Sequence, residues 1–293
     1  MTGRRARCRR GQGRNARSHG DGRFDAAHNH LTSVLPIALK RGARPSSSSC
    51  RCGAGAGQTP GHERDERPVQ VCPGGGDGLD TMADLQKTLS KDSRVCSYDR
   101  LGEGESDQPG DTQTINDSGR ILTGVLDRVV GVRRVVLAGH SVGGLIAARY
   151  APDRRDRVEG LVLMDATIPA LTAGINKAIP TSATGMAAEL RGHTIAVNEG
   201  QNPEKFLITD AEVRSAGNIP VQIIKHESQY SEVPEYGPAL EQMWADGQRQ
   251  WLALSYRSSI STAAGSGHYT HVDPRDLAVK AIQRVAAQAA SHR

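Results

Sequence analysis

Ser141 lies in the run Val135-Val136-Leu137-Ala138-Gly139-His140-Ser141-Val142-Gly143-Gly144, where Gly-x-Ser-x-Gly joins an apolar stretch to a small-residue segment. That spacing suits a nucleophile. A serine on a sharp strand-to-helix turn projects its hydroxyl, and the flanking glycines give the turn room. The backbone N–H of Val142, at the head of the expected helix, points to where an oxyanion would form and gains from the helix dipole. A hydroxyl attacks poorly until a base takes its proton, and the chain offers ten histidines. His19, His28, His30 and His62 fall in a basic N-terminal segment, His292 adjoins the C-terminal residue, His193 lies in a long insertion and His226 ends an expected strand. His140 neighbours the serine, but adjacent residues on such a turn point apart, so it should pack or line the entrance. His268 and His271 remain, on a loop between the last expected strand and the last helix. A metal is not expected at His268-x-x-His271 with Asp273, because no helix aligns the two rings.

Holding these groups in place requires an ordered scaffold, and the pattern from Pro68 onward supplies one. Strands are expected at Val69–Cys72, Arg94–Tyr98, Val135–Ala138, Val158–Met164, Ile219–Ile224 and Ser259–Ala264. Helices are expected at Leu79–Ser90, Ile115–Val130, Val142–Ala151 and Tyr236–Leu254, the first two with one apolar face each. A final helix should start at an Asp273-Pro274 cap and run to about Ala290. Val135–Ala138 is so apolar that both of its faces must be covered. Strand and helix in alternation predict an α/β fold, a mostly parallel sheet with helices on both faces. No repeat or linker interrupts the stretch, so residues 67–293 read as one domain.

These motifs together resemble the α/β-hydrolase fold family, from Pro68 to the C-terminus. Besides the serine turn, Tyr98-Asp99-Arg100-Leu101-Gly102-Glu103-Gly104-Glu105-Ser106-Asp107 is similar to the loop after the strand two before the nucleophile. Gly267-His268-Tyr269 resembles the family's late histidine loop, which implies His268 rather than His271 as the base. The family's chain order is serine, acid, histidine. Asp165 ends the strand after the nucleophile helix, on the sheet edge that faces the site, and some lipase-like members carry their acid there. Others place it after the next strand, which makes Glu227 the alternative acid. The second oxyanion donor should come from the loop Pro73-Gly74-Gly75-Gly76-Asp77-Gly78, and the resemblance implies the N–H of Gly75. Asp77 reads as a turn residue and Asp99 as a brace for its own loop. The family opens with a β-hairpin and a strand ending His-Gly; here Cys72-Pro73-Gly74 stands at that strand end, and the opening strands are expected to be missing or replaced.

Residues 1–62 hold eleven arginines and one lysine against Asp21 and Asp25, a net charge of +10, which leaves −5 on the remaining 25 basic and 30 acidic residues. The formal +5 of the whole chain is therefore a property of the tail. Its Arg, Gly, Ser and Ala composition, with the run Ser46–Ser49, cannot bury enough apolar area to offset ordering. Residues 1–66 thus read as a disordered basic leader, or as an out-of-frame translation of a GC-rich gene. Without clustered lysines or interleaved aromatics, no nucleic-acid partner is expected. No stretch approaches 18 apolar residues, so no membrane span is expected. The default compartment is cytoplasmic, or secreted if the N-terminus is misassigned. Cys50 and Cys52 form C-x-C with no second ligand pair, and five cysteines at irregular spacing argue against both a zinc site and a disulfide scaffold.

Residues 167–218 are far longer than a usual connection between a strand and the next. The resemblance implies a cap over the nucleophile, with Ile168, Leu171, Ile175, Ile179, Met186 and Leu190 as an apolar underside. The whole implies a serine hydrolase cleaving a carboxylic ester or related small acyl compound through an acyl-enzyme, with no cofactor. Serine rather than aspartate at the nucleophile position argues against the family's halide- and epoxide-opening members. Thioesterase, peptidase, carbon–carbon hydrolase and perhydrolase chemistry stay open. The alternatives are a non-catalytic protein that captures a small apolar ligand on the same scaffold, and a truncated, inactive hydrolase.

Overall fold

The computed structural model describes residues 50–53, 67–272 and 275–291. The rest of the basic leader and the Asp273-Pro274 cap lie outside them. Seven strands form one sheet: β1 (Cys50–Gly53), β2 (Val69–Cys72), β3 (Val95–Tyr98), β4 (Val135–His140), β5 (Val158–Met164), β6 (Pro220–His226) and β7 (Arg257–Ala263). Their order is β1-β3-β2-β4-β5-β6-β7, with β1 antiparallel to β3 and every other neighbouring pair parallel. Around them lie α1 (Ala83–Leu89), α2 (Ile115–Val129), α3 (Ser141–Tyr150), α4 (Leu171–Ala178), α5 (Gly185–Asn198), α6 (Gly237–Gln250) and α7 (Arg275–Ala290).

The apolar run of β4 is explained by what each face meets. Val135 and Leu137 join one core with Leu122 and Leu126 of α2 and Leu145 and Ile146 of α3. Val136 and Ala138 join the other with Leu85 and Leu89 near α1 and Ala278 and Ile282 of α7. Consecutive side chains in a strand point to opposite faces, so a strand covered on both sides has no polar position to spare. The expected helices over Leu79–Ser90 and Tyr236–Leu254 each form, but in two parts: a 3-10 turn at Leu79–Met82 precedes α1, and another at Trp251–Leu254 follows α6. The chain runs from β2 outward to β3 and then returns to β4 on the other side of β2. That reversal opens a crevice at the C-terminal ends of β2 and β4, the place where open α/β sheets bind ligands.

Strand β1 corrects the expectation that residues before 67 form only an unstructured leader. Cys50 and Cys52 pack against the α2–α3 core, while Arg51 between them is exposed and reaches Asp80 at 2.7 Å. This is strand periodicity carried by cysteines. A disulfide joins Cys52 to Cys96, its direct register partner on β3, and Cys50 is disulfide-bonded as well. Gln86 of α1 donates to the Arg51 carbonyl at 2.9 Å. The edge where the opening hairpin is expected to be missing therefore carries one antiparallel strand, tied to β3 by the Cys52–Cys96 disulfide and backbone pairing more than by apolar burial. Cys72 is the free cysteine among the described residues, and burial pushes its thiol up to about 12.

Candidate active site

Ser141 is the first residue of α3 and has φ +49°, directly after His140 in extended backbone. Left-handed backbone is costly for a residue with a Cβ. Of the four described non-glycine residues that adopt it, two are Ser141 and Asp165, so the strain is concentrated here. The flanking glycines make the turn possible sterically. A Cβ on Gly139 would come 2.5 Å from the backbone of Gly143 and Gly144, and one on Gly143 would overlap the Cys72 and Pro73 carbonyls at the end of β2. The chain leaving β5 crosses next to the turn, where the Thr167 N–H donates to the Ser141 carbonyl at 3.0 Å.

Asp165 follows the last residue of β5, fully buried, with φ +45°. Its carboxylate accepts four hydrogen bonds. Oδ2 takes His268 Nδ1 at 2.6 Å and His226 Nδ1 at 2.8 Å, while Oδ1 takes the Trp244 indole N–H at 2.9 Å and the His226 backbone N–H at 3.0 Å. Burial alone would raise the proton affinity of this group. The hydrogen bonds and charge of His226 and His268 together hold it well below the usual carboxylate range. Glu227 is exposed and accepts the Gly265 N–H at 2.8 Å. Of the two acids drawn from the sequence, the structure brings Asp165 to His268 and leaves Glu227 elsewhere.

His268 is partly open to solvent, its side chain 22% exposed. Its main-chain carbonyl accepts from His140 Nε2 at 3.0 Å, which fixes the Nε2–H tautomer on His140 because a carbonyl can only accept. Burial, then the proximity of His268 and His271, keep His140 well below the ordinary imidazole value and hence neutral. His271 is buried with its ring 4.5 Å from that of His140, and among the described residues neither of its nitrogens has a hydrogen-bond partner. Burial, followed by His268 and Arg275, lowers it to about 4. Among the described residues the Ser141 hydroxyl forms no side-chain hydrogen bond.

The loop after β2 brings Gly75 against Val142: a Cβ on Gly75 would lie 3.2 Å from Val142 Cγ2. The two expected oxyanion donors thus sit on adjoining segments. Arg100 fixes this loop. Its guanidinium donates to the Pro73 and Gly74 carbonyls, each at 2.6 Å, and makes two bonds of 2.7 Å to Glu204. Glu103 accepts the Gly76 N–H at 2.8 Å, and burial, then the charge of Glu204, push its carboxyl up to about 7. Asp77 closes a turn with its N–H on the Gly74 carbonyl at 3.3 Å. Asp99 accepts from Leu79 N at 2.6 Å and Glu105 N at 3.1 Å, tying its own loop to the start of the first helical turn.

The long insertion forms α4 and α5. Ile168, Ile175 and Ile179 are buried against Tyr230, Val233, Leu240 and Trp244, while Leu171 and Leu190 are only half-buried. Met186 departs from the expected underside: it is exposed, beside a cleft of about 380 Å³ between residues 182–187 and Pro234–Tyr236. Trp244 belongs both to this apolar cluster and to the Asp165 hydrogen-bond set, so it links the insertion to the acid. Arg100, Glu103, Glu204, His226, Trp244 and Glu241 are the site-shaping residues that sequence reasoning missed. Arg100 and Glu103 lay inside the loop motif after β3, His226 was weighed only as a base and set aside at a strand end, and nothing in the pattern marked Glu204, Trp244 or Glu241. Asp165, His226 and His268 each bring one ligand atom within 4.8 Å of the others. Both Nδ1 atoms already bond Asp165, so a metal ion at that point would have to displace those contacts.

Comparison with known proteins places this geometry in context. A sequence model described as alpha/beta hydrolase fold matches residues 67–260. Curated relatives include a proline iminopeptidase of Saccharolobus solfataricus, 37% identical over 31% of this chain and 29% of its own length. A 2-hydroxymuconate semialdehyde hydrolase of Pseudomonas sp. CF600 is 36% identical over 33% of this chain and 35% of its own. The human (lyso)-N-acylphosphatidylethanolamine lipase is 28% identical over 35% and 31%. The matched stretches span between 16% and 37% of the curated relatives' lengths. Among solved structures, a thermophilic esterase from Thermogutta terrifontis has a TM-score of 0.57 at 18% identity, covering 85% of this chain and 97% of its own. The enol-lactonase of Burkholderia xenovorans has a TM-score of 0.55 at 17% identity, covering 83% and 97%. Likeness at that identity speaks for the fold alone.

Proposed function

The chain belongs to the α/β-hydrolase fold family, and from that premise we propose that it is a serine hydrolase acting on a carboxylic ester or related acyl compound through an acyl-enzyme. The observation that carries the reading is the 2.6 Å contact between His268 Nδ1 and Asp165, with Ser141 in left-handed backbone at the head of α3. A neutral His268 that donates from Nδ1 keeps a lone pair on Nε2, the nitrogen needed to take the Ser141 proton. Ser141 Oγ then adds to the acyl carbon, and the oxyanion falls to the N–H groups of Val142 and Gly75. His268 passes its proton to the leaving group as the tetrahedral adduct collapses to the acyl-enzyme. Water enters by the same route, with His268 again as base. Asp165 stabilises the imidazolium in both halves. The scheme needs no cofactor.

An ester or similar acyl substrate is favoured by the apolar cluster of Ile168, Ile175 and Ile179 beside the site. Among the curated relatives the lipase points the same way, while the proline iminopeptidase and the 2-hydroxymuconate semialdehyde hydrolase keep amide and carbon–carbon bonds open. Thioester and amide substrates would use the same groups. Hydrolysis of p-nitrophenyl esters of increasing acyl length tests the reading. Ser141→Ala should lower the rate by roughly three or more orders of magnitude without unfolding the protein. A variant that keeps most of the activity removes Ser141 from the chemistry.

A further inference from the structure

We infer that His226 is a fixed imidazolium that divides the Asp165 carboxylate with His268, so that the charge available to His268 is set from behind by the chain Asp165–His226–Glu241. The inference rests on the reading in which His268 is the base. Its geometric argument concerns the two nitrogens of one ring. His226 Nδ1 lies 2.8 Å from Asp165 Oδ2, and His226 Nε2 lies 3.0 Å from Glu241 Oε2. An ionised carboxylate can only accept, and a neutral imidazole has one N–H and one lone pair. A neutral His226 would therefore set a lone pair against a carboxylate oxygen on one side. Only the doubly protonated ring satisfies both contacts.

Both partners are acceptors on every side, as ionised groups should be. Glu241 Oε1 takes the backbone N–H of Gln229 and of Tyr230, each at 2.6 Å, and the Ser228 hydroxyl at 3.3 Å. Asp165 Oδ1 takes the Trp244 indole and the His226 backbone N–H. The other groups around the ring do not offset its charge. Trp244 stacks on it with centroids 5.9 Å apart, and Tyr230 presents an edge at 6.1 Å. Lys225 donates to the His226 carbonyl at 3.1 Å, and Glu227 faces the Gly265 N–H. His268 is the remaining titratable neighbour, on the shared oxygen. Burial opposes a proton on His226, yet Asp165 and then Glu241 raise it above the ordinary imidazole value.

The consequence is a carboxylate that serves two rings through one oxygen. A lone carboxylate beside an imidazole favours its protonated form. Here a second cation sits at 2.8 Å on the same atom and repels a proton arriving on His268. The pull of Asp165 on a proton at His268 is therefore shared with His226, which limits how far the carboxylate can favour the charged His268 ring. His226 is thus a positioning and charge-setting residue, its buried ring engaged by a carboxylate at each nitrogen.

The test is a titration of the histidine rings by ¹⁵N–¹H spectroscopy in the full chain, with and without His226→Asn. Asparagine keeps an N–H for Asp165 and removes the charge. In the parent, both nitrogens of His226 should show protonated shifts at pH 7. In the variant the His268 midpoint should rise, on the order of one pH unit, and the acid limb of ester hydrolysis should rise with it. An unprotonated nitrogen on His226 at pH 7 overturns the inference, as does a His268 midpoint that stays still or falls in the folded variant. Glu241→Gln is the second arm: without its balancing charge His226 must lose its proton at lower pH, and an unmoved His226 midpoint also overturns the inference. Ring titrations need no turnover, so failure of the hydrolase reading would leave this result decided on its own terms.

Discussion

Arg100 and Glu204, 104 residues apart in the chain, form a buried two-bond ion pair, and the same guanidinium holds the carbonyls of Pro73 and Gly74. The pair therefore joins the loop expected to carry an oxyanion donor to the end of the inserted segment. Gln113 reinforces it by donating to the Glu204 carbonyl at 2.7 Å. Removing one member of a buried pair leaves an uncompensated charge, which costs about 3–5 kcal/mol. Glu204→Gln should accordingly lower the thermal midpoint by many degrees. It should also reduce kcat more than it raises KM, the outcome expected of a loop that carries the proposed oxyanion donor Gly75. A variant with unchanged midpoint and rate would detach Arg100 from both roles.

The acid assignment gives a sharper comparison. Asp165→Asn keeps the volume but favours the wrong His268 tautomer, and activity near neutral pH should fall on the order of a hundredfold to ten-thousandfold. Glu227→Gln should cost less than about tenfold, since Glu227 is exposed and bonded to Gly265. The pH profile adds a sign. Loss of the carboxylate removes stabilisation of the protonated ring, so the acid limb of Asp165→Asn should move to lower pH. A crippled Glu227→Gln beside an intact Asp165→Asn would transfer the role.

Glu103 should make stability depend on pH. Its folded value is raised from 4.5 to about 7, so the folded state holds this proton after the unfolded chain has lost it. Linkage then gives a contribution that is fully present below the unfolded value and is lost as pH rises to about 7. Glu103→Gln retains an acceptor for the Gly76 N–H without the ionisation. Its thermal midpoint, relative to the parent, should rise between about pH 4.5 and 7 and hold steady above. Parallel curves for parent and variant across that window would contradict the assignment.

The disulfide Cys52–Cys96 closes a loop over 44 positions and ties β1 to the sheet. Cross-links of that kind stabilise typically by about 2–4 kcal/mol. Cys96→Ser should lower the thermal midpoint by several degrees and expose the Arg51 amide to hydrogen exchange, with the midpoint measured at fixed protein concentration. An unchanged midpoint would mean that β1 adds nothing to the described fold.

The parts of this site that were legible in the sequence depended on local pattern. Val135–Ala138 could only be a strand covered on both faces, and the glycines around Ser141 then marked a turn that admits no Cβ. Asp165 was reachable because a carboxylate at that strand end must face the crevice. The roles of His226, Trp244 and Glu241 were not reachable, because they meet Asp165 from β6 and α6, and the separations of 61 and 79 residues to Asp165 leave no periodic trace. Strand β1 was missed for a different reason. Its alternation is carried by Cys50 and Cys52, which register as possible metal ligands, and a four-residue edge strand next to a basic tail has almost no apolar area to announce it. Met186 was misplaced because apolar type alone does not fix which side of a helix packs.

The central claim is that Ser141 is an activated nucleophile, and covalent labelling tests it most directly. The folded full chain would be treated with a fluorophosphonate probe, and the adduct located by intact mass and peptide mapping. One phosphonyl group should appear on Ser141, at a rate that falls as His268 is protonated or as Asp165 is replaced by asparagine, and Ser141→Ala should not label. A folded parent that never takes up the probe, or a Ser141→Ala variant that labels as fast as the parent, would contradict the account.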